Sequence, residues 1–320
     1  MDDVSFLLES GASLGLVGES GSGKSMLALA LMGLLPPGAR VRGEAWLTGA
    51  NGASGSRVNL LSLPERERIG IRGRDIAMIF QEPMTALNPV MRVGAQIAEA
   101  IRAHHASLTR EDVGRHVIAA LERAAVPEPA LRARQYPHQL SGGLRQRAMI
   151  AMALAAGAES SPVANDHCAP RLLIADEPTT ALDVTVQRQI LELLARLRRD
   201  LGLALLFITH DLGVVAQVAD RIAVTYAGRI VEEGPALEVL ERPRHPYTAG
   251  LLRASPQLVR HKLEPIPGSV PSLAALPSGC AFEPRCPLRL PECTAAMPEL
   301  RNAGPGHRAR CILVDNSIGG

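Results

Sequence analysis

The chain has 320 residues, enough for two domains or for one large α/β domain with an extension. Its formal net charge is +2 and only 21% of its residues are charged, which supports neither a nucleic-acid-binding protein nor a disordered acidic one. Hydrophobic residues make up 47%, which is ample for a core. The longest apolar runs, at 26–35 and 148–156, are too short to cross a bilayer, and no leader with a cleavage site is recognisable. We therefore expect a protein of the cytoplasm.

Short apolar runs alternate with helical patterns along most of the chain. Strands are predicted at 14–17, 75–81, 171–176 and 204–209, and helices at 25–34 and 184–198. Residues 85–147 lack clear strands and are expected to be helical, with breaks at Pro127 and Pro129. This order predicts an α/β fold with a mostly parallel sheet covered by helices. After about residue 235 proline is frequent and helical periodicity fades, so we expect domains at 1–234 and 235–320.

A glycine-rich segment follows the first predicted strand and opens the first predicted helix. It matches the phosphate-binding pattern G-x-x-x-x-G-K-[ST], and its residues are Gly18, Glu19, Ser20, Gly21, Ser22, Gly23, Lys24 and Ser25. The glycines allow backbone N–H groups to turn towards phosphate oxygens, and the helix N-terminus adds the positive end of its dipole. Lys24 is one of only two lysines among 34 basic residues. We expect its compact ammonium to reach the β- and γ-phosphates, and the hydroxyl of Ser25 to hold Mg²⁺.

The predicted strand at 171–176 ends in two adjacent carboxylates. A buried strand seldom ends in this way without a cation to offset the charge. Asp176 is therefore a candidate ligand of Mg²⁺, directly or through water. Glu177 is next along the chain and is a candidate general base that could polarise the attacking water.

The sequence Leu-Ser-Gly-Gly at 140–143, just ahead of the acidic strand, resembles the signature of ABC-transporter ATPases, which have a P-loop nucleotide-hydrolase fold. Six elements occur in the order of that family between about residues 4 and 234. After the phosphate loop, their residues are Gln81, Ser141, Gly142, Gly143, Gln146, Asp176, Glu177, Asp183 and His210. The resemblance implies that Gln81 contacts Mg²⁺ and the attacking water and that His210 contacts the γ-phosphate. It also implies that Ser141, which can cap a helix, faces the ATP of a second, opposing subunit.

Three further stretches resemble the ATPase subunits of dipeptide, oligopeptide and nickel importers. They are an extended glutamine loop at 81–89, a His-Pro-Tyr element at 245–247 and a cysteine segment at 279–287. The resemblance implies a peripheral ATPase subunit on the cytoplasmic face of the cell membrane that powers peptide import, with nickel import as the alternative. The implied partners are two transmembrane permease subunits, a second ATPase subunit that is a paralogue, and an extracytoplasmic substrate-binding protein, without nucleic acid. The helical region 85–147 would hold the groove for a permease.

Four of the five cysteines lie near the C-terminal end, at Cys280, Cys286, Cys293 and Cys311. In a protein of the cytoplasm such a cluster favours a metal over disulfides. The paired C-x2-C knuckles of a zinc ribbon are absent, and the spacing suits a [4Fe–4S] cluster at least as well. The importer resemblance favours iron–sulfur, with Zn²⁺ and free thiols as alternatives. Cys168 is expected to lie in a surface loop at 158–170.

The sequence departs from the resembled family at its beginning. The first strand of that family carries an aromatic residue that stacks on adenine, and Phe6 and Trp46 are poor substitutes by position. We therefore expect an incomplete N-terminal strand and ATP binding with a raised dissociation constant. One alternative function is a regulatory subunit that binds nucleotide with little turnover, against which the intact Glu177 and His210 count. Another is a soluble ABC ATPase of DNA repair or translation, but the chain has no long coiled-coil insertion and no tandem nucleotide domain.

Overall fold

The structure is a computed structural model that describes residues 1–49, 55–82, 86–157, 169–180, 182–256 and 263–314. Contacts divide the chain into two compact units: Met1–Leu27 with Leu206–Gly320, and Ala28–Leu205. Both units contain strands and helices. Within the described residues, no helix combines the length and the apolar character that crossing a membrane requires.

The α-helices are α1 (Lys24–Met32), α2 (Glu65–Ile71), α3 (Val93–His104), α4 (Arg110–Arg123), α5 (Pro129–Arg134), α6 (Gly142–Ala155), α7 (Val184–Leu201), α8 (Leu212–Val215), α9 (Ala236–Glu241) and α10 (Pro246–Ala254). The strands are β1 (Ser13–Val17), β2 (Trp46–Thr48), β3 (Arg57–Asn59), β4 (Ile76–Ile79), β5 (Leu172–Asp176), β6 (Ala204–Thr209), β7 (Arg221–Tyr226), β8 (Arg229–Pro235), β9 (Arg301–Gly304) and β10 (His307–Ala309). Short 3-10 helices lie at Pro137–Gln139, Glu283–Arg285 and Pro291–Thr294.

The first unit is built on a mixed sheet in which the strand order is β6-β1-β7-β8-β10-β9. β1 pairs in parallel with β7, with Leu14 opposite Arg221. Three further pairs are antiparallel, and they join β7 to β8, β8 to β10 and β10 to β9. All five residues of β1 are buried. A strand covered on both faces needs a continuous run of apolar or small residues rather than an alternating one, which is why β1 was recognisable in the sequence.

The part of the chain after residue 234, called the C-terminal extension below, continues this sheet with β9 and β10. β10 pairs with β8 so that Arg308 lies opposite Glu233, and Arg308 Nε donates to Glu233 Oε1 at 2.8 Å. The neighbouring Glu232 is fully buried and accepts hydrogen bonds from the backbone N–H groups of Arg244 and His245 at 2.7 and 2.9 Å. The extension is therefore joined to the unit that carries the phosphate loop by strand pairing and by a buried carboxylate. This grouping differs from the division at 234/235 expected from the sequence, because such pairing leaves no mark in a proline-rich stretch.

The second unit combines short strand pairs with a cluster of helices. β4 and β5 are parallel, with Ile76 opposite Leu172, and β2 and β3 form an antiparallel pair. α3, α4 and α6 pack against one another around buried apolar side chains, which include Ile97, Ile101, Val117, Leu121 and Met149. The helical character expected for 85–147 is thus present in its described residues. The breaks expected at Pro127 and Pro129 correspond to the interval between α4 and α5, and Pro129 occupies the first turn of α5.

Most predicted elements correspond to observed ones, with small differences at their ends. The strand predicted at 204–209 coincides with β6, and the helix predicted at 184–198 continues to Leu201, where Gly202 at φ +63° ends it. The β7–β8 hairpin is not among the elements predicted from the sequence. Its turn residues Ala227 and Gly228 both have positive φ, at +46° and +82°, and alanine is an unusual residue there, so the common Asn-Gly or Asp-Gly turn signal was absent.

Candidate functional site

The phosphate loop connects β1 to α1 in the first unit, with a conformation that depends on its glycines. Gly21 and Gly23 have φ angles of +82° and +93°, which residues with side chains rarely adopt. A Cβ atom on Gly18 would lie 2.2 Å from the carbonyl oxygen of Thr225 in β7. The loop can therefore pass against β7 only because position 18 has no side chain.

Lys24 lies across the phosphate loop and is only 5% exposed. Its Nζ donates to the carbonyl oxygens of Gly18 and Glu19 at 2.7 and 3.1 Å and lies 3.4 Å from the hydroxyl of Ser22. Ser22 Oγ in turn accepts a hydrogen bond from Thr225 Oγ1 at 3.2 Å. These contacts hold a buried ammonium against the loop.

Glu19 makes contacts that the sequence analysis did not foresee. Its backbone N–H donates to the hydroxyl of Tyr247 at 3.0 Å, and its carboxylate accepts two hydrogen bonds from the guanidinium of Arg285 at 2.7 and 3.1 Å. Both partners belong to the C-terminal extension. The sequence did contain a signal for a cationic partner of Glu19, because an acidic residue inside a loop of the phosphate-binding pattern is unfavourable unless a cation pairs with it.

In the second unit, Glu177 at the acidic strand end lies beside Gln81, which is 96 positions earlier in the sequence. Asp176 ends β5 and is 4% exposed. Glu177 follows with φ +46°, a left-handed conformation that is strained for glutamate. Glu177 Oε2 accepts hydrogen bonds from Gln81 Nε2 at 3.3 Å and from Thr180 Oγ1 at 2.8 Å. The backbone and both partners thus fix the direction of this carboxylate.

The signature residues form the exposed N-terminus of a long helix. Ser141 caps α6 by accepting a hydrogen bond from the N–H of Leu144 at 3.4 Å, and both Ser141 and Gly142 are exposed. A Cβ on Gly143 would lie 2.7 Å from Val186 Cγ1 of α7, so this glycine has a packing role as well. Gln146 is only 2% exposed, so it lies inside the unit in this conformation.

Two further motif residues lie at the starts of helices in their respective units. Asp183 caps α7 by accepting a hydrogen bond from the N–H of Val186 at 3.0 Å, and it is exposed. His210 is exposed directly after β6, and the next residue, Asp211, caps α8 through Gly213 at 2.7 Å. Three stretches on which predictions fall lie outside the described residues. They are residues 83–85 of the glutamine loop, position 181 and the loop residues 158–168, which include Cys168.

The four C-terminal cysteines line a single cavity in the first unit and are not joined in disulfides. Its wall includes His245 and apolar residues, among them Phe282, Leu288, Pro298, Ile312 and Leu313. Burial raises the pKa of the thiols of Cys280 and Cys311 and raises that of Cys286 to about 11, with a smaller contribution from the neighbouring cysteines. A Cβ on Gly279 would lie 2.1 Å from the carbonyl oxygen of Cys293, so the glycine lets two parts of the segment approach closely.

The donor set matches a soft metal centre in the kind of ligand, because four thiols line one largely apolar cavity. His245 is 1% exposed and adds an Nε2 atom that has no hydrogen-bond partner within the part of the chain that the structure describes. In the present arrangement, no three His, Cys, Asp or Glu side chains of the described residues are close enough to bind one metal ion.

The glycine-rich loop between a strand and a helix, together with a carboxylate pair at the end of a further strand, defines a P-loop nucleoside triphosphate hydrolase. The family model described as ABC transporter matches residues 1–180, and that described as the C-terminal region of oligopeptide/dipeptide transporters matches residues 231–293. The chain belongs to the ABC transporter family, with the C-terminal region of its oligopeptide and dipeptide group, and it is an ATPase.

Individual relatives and solved structures agree with this assignment. The oligopeptide transport ATP-binding protein OppD of Salmonella typhimurium is 47% identical over 314 residues, which cover 98% of this chain and 87% of that protein. A peptide import ATP-binding protein of Brucella ovis is 50% identical, with 98% and 90% covered. Among solved structures, a dimer of the ATP-binding cassette MJ0796 bound to ADP and Pi matches with a TM-score of 0.58 and 26% identity over 72% of this chain and 88% of that one. The predicted fold class and family are thus confirmed.

Proposed function

We propose that this ATPase powers the import of di- or oligopeptides across the cytoplasmic membrane as one subunit of a transporter complex. The observation that carries the proposal is the match of residues 231–293 to the C-terminal region of oligopeptide/dipeptide transporters, in a chain that also has the nucleotide-binding motifs. The names of the relatives support it, since they are oligopeptide transport and peptide import ATP-binding proteins.

The chain's own residues would perform hydrolysis as follows. Loop N–H groups and Lys24 bind the phosphates of ATP, and Ser25, Asp176 and Gln81 hold Mg²⁺, which neutralises charge on the β- and γ-phosphates. Glu177 accepts the proton of the attacking water, and its hydrogen bonds from Gln81 and Thr180 support this role because they orient the carboxylate.

A second ATPase subunit would complete each site. The exposed helix start at Ser141 and Gly142 would bind the phosphates of ATP held by the opposing subunit, with Asp183 beside it. A helix N-terminus with free N–H groups attracts anions, so ATP would join the two subunits and hydrolysis would separate them. His210 would contact the γ-phosphate in the closed state.

In the cell we place the chain at the cytoplasmic face of the membrane, bound to two permease subunits, with a paralogous ATPase as its dimer partner. An extracytoplasmic binding protein would deliver the peptide. The helical cluster of α3, α4 and α6 supports this arrangement, because it follows the glutamine loop that carries Gln81 and would transmit the state of the ATP site to the permease.

Reconstitution of the complete complex in proteoliposomes tests this function. We expect peptide-loaded binding protein to stimulate ATP hydrolysis and labelled peptide to accumulate. Glu177→Gln should lower kcat by about 10²–10⁴-fold because it removes the general base, while ATP binding is retained. Glu192→Gln is the matched control, since Glu192 is exposed on α7, where it pairs with Arg188 at 3.8 Å. Hydrolysis stimulated by nickel and indifferent to peptides would contradict the proposal.

We further propose that Cys280, Cys286, Cys293 and Cys311 hold a [4Fe–4S] cluster. Their convergence on one cavity supports this, and binding would require the loss of thiol protons whose pKa burial has raised. Such a cluster would stabilise this small, proline-rich extension, because metal binding contributes folding free energy.

Iron and acid-labile sulfide in anaerobically purified protein test the cluster. We expect about four of each per chain, lost in Cys293→Ser and retained in the control Cys168→Ser. Zinc at about one equivalent, or no metal, would overturn the assignment.

A further inference from the structure

The phosphate loop is held by side chains that the C-terminal extension supplies. Arg285 forms a bidentate ion pair with Glu19, with Nη1–Oε2 and Nη2–Oε1 distances of 2.7 and 3.1 Å. The Arg285 side chain is 5% exposed and that of Glu19 is 32% exposed. Planar guanidinium groups pair with carboxylates in this way more strongly and with more directional specificity than an ammonium can.

The remaining donors of Arg285 fix its guanidinium in place. Nε donates to the carbonyl oxygen of Pro267 at 2.8 Å, Nη1 also donates to the hydroxyl of Tyr226 at 3.3 Å, and the guanidinium lies 5.8 Å from the centre of the Tyr226 ring. An arginine guanidinium stays protonated in proteins, and these contacts fix its direction towards the phosphate loop.

Arg285 occupies a tight turn between two cysteines of the cavity. In this turn the N–H of Glu283 donates to the carbonyl oxygen of Cys280 at 2.9 Å, and the N–H of Cys286 donates to that of Glu283 at 3.1 Å. A second contact reaches the same loop residue, since the hydroxyl of the buried Tyr247 accepts a hydrogen bond from the backbone N–H of Glu19. Two separate parts of the extension thus converge on Glu19.

We infer that Arg285 is a positioning residue for ATP binding, which neutralises and orients Glu19 so that the phosphate loop can accept the polyphosphate. An unpaired carboxylate in the loop would repel the phosphates of ATP, and its rotation would disturb the backbone N–H groups beside it. Arg285 cancels this charge without contacting nucleotide. The inference rests on the phosphate loop being the ATP site, which is part of the proposed function.

The dissociation constant of ATP, measured by equilibrium dialysis on the full chain, tests this role. Arg285→Gln should raise it by about tenfold, equivalent to about 1.4 kcal/mol, because Glu19 keeps its charge and loses its partner. Adding Glu19→Gln should restore the affinity to within about twofold of the wild type, since no charge is left to neutralise. Arg289→Gln is the matched control, because Arg289 lies in the same segment, is 65% exposed and approaches Glu283 only to 3.9 Å.

A purely structural role would give a different result. If Arg285 only stabilised the fold, Arg285→Gln would lower the melting temperature and leave the ATP affinity of the folded fraction unchanged. A loss of affinity that Glu19→Gln does not restore would likewise mean that the charge of Glu19 is not the cause. Either outcome overturns the inference. If Arg285→Gln does not fold, Glu19→Asp decides the question. The aspartate keeps the charge but withdraws it from Arg285, so it should weaken ATP binding at an unchanged melting temperature, and an affinity equal to that of the wild type refutes the inference. Failure of the wild type to bind ATP would instead refute the proposed function.

Discussion

Replacing Gly143 by alanine separates the packing role of the signature helix from its role in binding nucleotide. The added Cβ would lie 2.7 Å from Val186 Cγ1, closer than carbon atoms approach one another, so either α6 or the first turn of α7 must move. Val186 is β-branched in a helix and has little rotamer freedom with which to yield. At Gly142 the nearest atom to an added Cβ is Leu182 Cδ2 at 3.5 Å, an ordinary contact.

The magnitude follows from a comparison of the two alanine variants. Each gains at most about 1 kcal/mol of helix propensity, and this gain cancels in the difference between them. Overpacking at Gly143 then costs about 1–3 kcal/mol. In a unit of this size that corresponds to roughly 2–4 °C of melting temperature per kcal/mol. We therefore expect Gly143→Ala to melt roughly 2–12 °C below Gly142→Ala.

Differential scanning fluorimetry of both variants, with and without Val186→Ala, measures this difference. The valine truncation removes the atom that clashes, so Gly143→Ala with Val186→Ala should recover most of the difference. Gly142→Ala should remain stable yet lose activity in the dimer, because Gly142 is exposed where the opposing ATP would bind. Equal melting temperatures for the two single variants would refute the packing argument.

Three other changes give independent checks. Gln81→Ala removes the 3.3 Å hydrogen bond to Glu177 and should lower kcat for ATP by about tenfold, so unchanged turnover in a steady-state assay would contradict the role of Gln81. Tyr247→Phe deletes the acceptor for the Glu19 N–H and should raise the dissociation constant of ATP by about three- to tenfold with unchanged kcat; a loss of kcat alone would be inconsistent with it. Burial lowers the pKa of His104 below its ordinary value of 6.5, so protons bind preferentially to the unfolded state. Stability from the neutral imidazole is complete above about pH 6.5 and is lost as the pH falls through the folded pKa, so melting temperatures between pH 7 and 5 should fall less steeply in His104→Gln.

Features that depend on a few adjacent residues were predictable. The phosphate loop was recognised because glycine at positions 21 and 23 permits the positive φ angles that the loop requires, and this property belongs to the residue itself. Ser141 was correctly expected to cap a helix, since capping depends on a side chain and the backbone N–H three residues later. Strand β6 was predicted with its observed ends because a buried apolar run ends abruptly in polar residues.

Features that depend on distant pairing were not predictable. Glu19 and Arg285 are separated by 266 positions, and nothing near either residue specifies the other. The pairing of β10 with β8 was hidden for the same reason, because it rests on a few backbone hydrogen bonds in a proline-rich stretch. The packing role of Gly143 became visible only when α7 was placed beside it.

The sequence by itself determined the class of chemistry, because a loop that grips phosphate and a strand that ends in carboxylates are encoded in short, local patterns of glycine, lysine and acid. Only the tertiary structure decided which distant groups lie in contact: Gln81 with Glu177, and Arg285 with Glu19 of the phosphate loop. The physical reason is that local conformation follows from each residue's own sterics and hydrogen bonds. A contact across the chain exists only after the whole core has offset the entropy of bringing its partners together.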